Sequence, residues 1–149
     1  MSLELRIQNC QRTRAIEARQ LRRTCAELFR EHLRIENVEL GVRLVAASEM
    51  TQLNEAYLQH QGSTDVITFN YREPGTQGSK SGAAICGELV ICVDEAILQA
   101  KRFRTTWQSE LIRYIIHGVL HLLGYDDRRA ADRRKMKQEE ERLLRLLIK

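Results

Sequence analysis

Five consecutive apolar residues, Leu89-Val90-Ile91-Cys92-Val93, set the tightest limit on what this chain can become. A strand apolar on both faces needs cover on both, so the run predicts a strand near the centre of a sheet. Partner strands are predicted where apolar residues alternate, at Leu3, Leu5 and Ile7 and again at Val38, Leu40, Val42 and Leu44. The β-branched and aromatic run Val66-Ile67-Thr68-Phe69 predicts another. Between these, Ile16, Leu21, Cys25, Leu28, Phe29 and Leu33 recur at helical spacing and predict a helix over residues 12–34 with an Arg-rich outer face. Ser48 is expected to cap a helix running to about Tyr57, and Asp94 one running through Lys101. A further helix is expected over about Gln108–Leu123, stopped by Gly124 at a left-handed cap position. The last 20 residues predict an amphipathic helix with Leu143, Leu144, Leu147 and Ile148 on its packing stripe. Pro74, Gly75, Gly78 and Gly82 mark a long loop. Strands and helices mix without strict alternation, which predicts an α+β fold formed as one domain over residues 1–149.

Charge narrows the possible partners. Residues 1–34 carry eight Arg against four Glu, residues 35–100 three basic against nine acidic groups, and residues 101–149 thirteen against seven. Basic ends around an acidic middle suit a polyanion, although solvated helix faces give the same pattern. No apolar run approaches the ~20 residues of a membrane span. The start, Met1-Ser2-Leu3-Glu4-Leu5-Arg6, has no apolar signal core, so a cytoplasmic chain without membrane contact is expected. Cys10, Cys25, Cys86 and Cys92 form no C-x-x-C pair and are expected to be buried thiols rather than metal ligands.

The segment that carries chemistry is His117-Gly118-Val119-Leu120-His121-Leu122-Leu123-Gly124-Tyr125-Asp126-Asp127. Histidines at i and i+4 sit one above the other on a helix face and can reach one metal ion. A glycine that ends the helix turns the chain back, and the third ligand of the metzincin pattern falls six residues after the second His. That register points to Asp127, with Asp126 the competitor. Two His and a carboxylate with an open fourth position make an accepted catalytic zinc geometry. Zinc peptidases place their general-base Glu directly after the first His, where this chain has Gly118, so peptide hydrolysis is disfavoured. A glycine inside a helix costs about 1 kcal/mol relative to Ala, and close approach of another backbone or of substrate is the expected reason.

His117 through Asp126 resembles the H-G-x-L-H-L-x-G-Y-D-H pattern of the YbeY family of bacterial metal-dependent endoribonucleases. Leu53-Asn54-Glu55-Ala56-Tyr57, Thr64 through Phe69, and Gly87 through Cys92 are similar to further blocks of that family. The resemblance covers about residues 35–128. It implies a zincin-like α+β fold, a mixed sheet packed by helices, with the metal site at the end of a central helix. It also implies cleavage of single-stranded RNA in small-subunit ribosomal RNA 3′-end maturation and ribosome quality control. One zinc ion per chain, with Ni²⁺ or Mn²⁺ as substitutes, is then expected on His117, His121 and Asp127, activating a water molecule as nucleophile.

Three positions depart from the family pattern. Asp127 stands where most members have His, which leaves the site one charge less positive and predicts a higher pH optimum. Leu58 replaces an Arg that faces the metal cleft in relatives, and Ser63 replaces a Pro. Arg72 and Arg113 are the candidates to supply the lost phosphate contact. A non-catalytic ribosome-assembly factor with a structural metal and a metallopeptidase stay open as alternative functions.

Overall fold

A computed structural model describes residues 2–58, 64–72 and 83–148. The glycine-marked loop and Ser63 lie outside the described residues. Four strands, β1 (Ser2–Asn9), β2 (Asn37–Val45), β3 (Val66–Asn70) and β4 (Ile85–Cys92), form one sheet in the order β1-β2-β4-β3. β1, β2 and β4 run parallel, and β3 closes the edge antiparallel to β4. The apolar run does lie in an inner strand, but it is shifted: β4 begins at Ile85, and Val93 already belongs to the next helix.

Five α-helices accompany the sheet: α1 (Ala18–Glu27), α2 (Ala47–Leu53), α3 (Val93–Phe103), α4 (Trp107–Leu122) and α5 (Ala130–Leu147). α1 continues as a π-helical turn, Leu28–His32, and α2 as another, Asn54–Leu58. The first helix starts later than residue 12 because Gln11 folds a turn instead, bonding Asn9 and both the carbonyl and the N–H of Arg14. One sheet face, with Leu40, Val42, Leu44, Ile85, Leu89 and Ile91, packs against α1, α4 and α5 in the main core. The other face meets α2 through Val45, Met50, Ile67, Val90 and Cys92. Each fully buried aliphatic or aromatic side chain contributes roughly 1.5–3 kcal/mol. Among the described residues no helix is long and apolar enough to cross a membrane.

Two expected caps work differently. Ser48 does not cap α2, and Asp94 does not cap its own helix. Asp94 Oδ2 instead accepts the Ala47 N–H at 2.7 Å, so the first turn of α3 caps α2. Cys10 is exposed, contrary to expectation, and Cys25, Cys86 and Cys92 are buried. Burial pushes the Cys25 thiol up to about 12, against the nearby Arg22 charge, which keeps it unreactive.

Gly118 lets α4 press onto the sheet. A Cβ there would lie 2.5 Å from Leu89 Cδ2, and Leu89 is 0% exposed with nowhere to retreat. The close approach is therefore to a core side chain rather than to backbone. Overpacking costs about 1–3 kcal/mol and outweighs the ~1 kcal/mol helix gain of Ala. Gly118→Ala should accordingly lower Tm by up to about 8 °C. Combined with Leu89→Val, it should cost less than the sum of the two single changes, as read from a double-mutant cycle of melting curves.

Candidate metal centre

α4 carries both histidines on one face. Its start is fixed by Thr106, whose Oγ1 accepts the Ser109 N–H at 3.1 Å. Its end is fixed by Gly124 at φ +100°, a conformation L side chains rarely adopt, with the Tyr125 N–H returning to the Leu120 carbonyl at 2.9 Å. The turn brings Asp127 back over the helix end. His117, His121 and Asp127 can each direct one ligand atom to a common point, all within 4.8 Å of one another. The two Nε2 atoms are 3.2 Å apart, and Asp127 Oδ2 is 3.6 Å from His121 Nε2. Asp126 is turned away, its Oδ1 accepting the Arg128 N–H at 3.0 Å.

The chemistry of this set fits one divalent ion. Two nitrogens about 2.0–2.1 Å from a tetrahedral ion lie about 3.3 Å from each other, close to the observed spacing. The His117 Nδ1 faces Glu140 Oε1 at 2.8 Å, which leaves its Nε2 lone pair for the shared point. The two rings titrate in opposite directions. The Glu140 hydrogen bond raises His117 above the usual histidine range in spite of burial. Burial, with the charge of His117, lowers His121.

Glu140 was not singled out from the sequence. It is 5% exposed on α5 and also accepts from Arg113 at 3.0 Å and Lys137 at 3.3 Å. Burial by itself would raise its pKa, but His117, Lys137 and Arg113 together hold the carboxyl below its ordinary value. A signal for it was present: Glu140 falls four residues after Met136 and three before Leu143, on the apolar stripe of α5.

The predicted phosphate contacts are placed differently. Arg113 lies one helical turn before His117, but its guanidinium is committed to Glu110, Glu140 and Glu141. Those carboxylates raise its pKa despite partial burial, and they leave no free fork for a phosphate. Arg72 is exposed beyond β3 and donates to the Ala84 carbonyl at 2.7 Å. Leu58 closes the π-helical turn after α2. Two clefts, of about 540 and about 430 Å³, share His117, Lys137 and Glu140; Asp127 lines the second, and His121 lines neither.

A mixed sheet under a helix that directs two histidines and a post-turn carboxylate towards one point makes this an α+β protein with a candidate metal-binding group. The family profile described as Endoribonuclease YbeY matches residues 6–147. An endoribonuclease YbeY of Salinibacter ruber is 36% identical over 110 residues, covering 73% of this chain and 70% of that protein. The namesake from Chlorobium luteolum is 39% identical over 120 residues, covering 80% and 78%. A Thermotoga maritima protein solved in solution superposes with a TM-score of 0.67 at 25% identity, covering 96% of this chain and 88% of its own. The chain belongs to the YbeY endoribonuclease family.

Proposed function

We propose that this chain is a zinc-dependent endoribonuclease that cuts single-stranded RNA during maturation of small-subunit ribosomal RNA and in ribosome quality control, within the cytoplasm. The observation that carries the reading is the convergence of His117 Nε2, His121 Nε2 and Asp127 Oδ2 beside the cleft lined by His117 and Asp127, in a chain of the YbeY family. The arrangement resembles the zincin site, with Asp127 as third ligand. When bound, zinc lowers the pKa of water toward ~7 and polarises a phosphoryl oxygen.

The protein's own groups do the positioning. Glu140 fixes the His117 ring by accepting from Nδ1, so Nε2 keeps its lone pair toward the site. The Gly124 turn orients Asp127. No carboxylate stands at position 118 to take a proton, which suits phosphodiester over peptide hydrolysis.

Metal analysis of protein purified without chelator, together with cleavage of labelled single-stranded RNA and of casein, tests the reading. Near-stoichiometric metal and RNA cleavage are expected. Bound metal without cleavage of either substrate would instead favour an assembly factor, which the Leu58 replacement also suits. Casein cleavage would favour a peptidase. Asp127→Ala should lose most of the metal, while Asp126→Ala should keep it. An empty site in Asp126→Ala would assign the third ligand to Asp126.

A further inference from the structure

We infer that Arg133 and Arg134, assisted by Lys137, form the seat for the backbone phosphates of the strand beside the metal centre. All three line the cleft of about 430 Å³ together with His117 and Asp127. The inference rests on the reading that the strand is RNA.

The guanidinium groups near the site differ in what already holds them. Arg113, the guanidinium beside His117 in the neighbouring cleft, is held by three carboxylates. Arg133 and Arg134 are exposed and make no ion pair among the described residues. Lys137 touches both clefts and pairs with Glu140 and Glu141 at 3.3 Å each, so it adds charge without offering a free head group.

The start of α5 also carries a local cost. Residues 128–137 hold six basic groups and one acid, Asp132, in and just before the first turns of α5. Cations are unfavourable at that end of a helix, where the macrodipole is positive. Arg129, Arg133 and Lys137 also follow one another at i, i+4 and i+8, a like-charge row that destabilises a helix. The fold does not need this row: α5 packs through Met136, Leu143 and Leu144. A polyanion laid in the cleft removes the cost. Planar guanidinium forks match the paired non-bridging oxygens of a phosphodiester.

Anisotropy titration of a labelled single-stranded RNA with the full chain, in chelator so that the strand stays intact, tests the inference. Arg133→Gln with Arg134→Gln should weaken binding roughly ten- to a hundred-fold at low salt. It should also make the slope of log K against log salt shallower by about 1.4, two contacts at ~0.7 each. A control with the same charge change on α1, Arg19→Gln with Arg23→Gln, should change neither by as much. Metal content should be unchanged in both. An unaltered slope in the cleft variant, or an equal fall in the control, would overturn the inference while RNA cleavage by the wild type still stood. A wild-type chain that neither binds nor cuts RNA would overturn the inference together with the reading it rests on.

Discussion

Chains carrying His121→Ala are expected to purify with far less than one metal ion per molecule and to cut RNA roughly a thousand-fold more slowly or worse. His121 is central to the set: its Nε2 is 3.2 Å from that of His117 and 3.6 Å from Asp127 Oδ2, so its loss leaves two donors that no third atom joins. Polarisation of phosphate and activation of water are together worth several kcal/mol, and each 1.36 kcal/mol is ten-fold in rate. Folding should survive, because His121 is only half-buried. Elemental analysis and single-turnover cleavage on one preparation, with a melting curve, provide the check. A His121→Ala protein with full metal content would mean that the ion is held elsewhere.

Glu140→Ala should produce the second large effect, in stability and metal affinity together. The carboxylate is buried and receives His117, Arg113 and Lys137, and its removal leaves His117 Nδ1 without its acceptor. Breaking a buried pair costs about 3–5 kcal/mol. The loss should fall near the lower figure, since Arg113 keeps Glu110 and Glu141. Losing the group that orients a ligating histidine costs a further 10–100-fold in metal affinity, on the usual order of magnitude. Glu140→Gln keeps the shape and an acceptor, so it should recover most of the stability. It also supplies a pH test. Glu140 raises the pKa of His117, so a proton competes with the ion there, and occupancy falls as pH drops through the raised value. In Glu140→Gln that fall should come at lower pH. Coincident metal-release curves for the two proteins would show that Glu140 merely packs.

What the sequence made legible was local. The alternating strands, the i,i+4 histidines, the helix stop at Gly124 and the register of Asp127 each depend on residues within one element or one turn. What it hid was tertiary. Asp94 caps a helix that begins 47 residues earlier, because the first turn of α3 is packed where the N–H groups of α2 end. Arg113 looks free in the sequence, yet carboxylates 27 and 28 residues away claim it. The sheet order also eludes local patterns, since β3 reaches β4 from the edge while β2 pairs with β4 on the inside. Glu140 lies between these cases. Its stripe position marks it as inward-facing, but only the docking of α5 on α4 names His117 as its partner.

The link between His117 and Glu140 has a consequence for truncated chains. The ligands on α4 and its turn are synthesised first, and the carboxylate that orients His117 follows on α5, 23 residues later. A chain cut before α5 would therefore keep all three candidate ligands and lose the carboxylate that orients His117, so the geometry of the site is tied to the docking of the last helix.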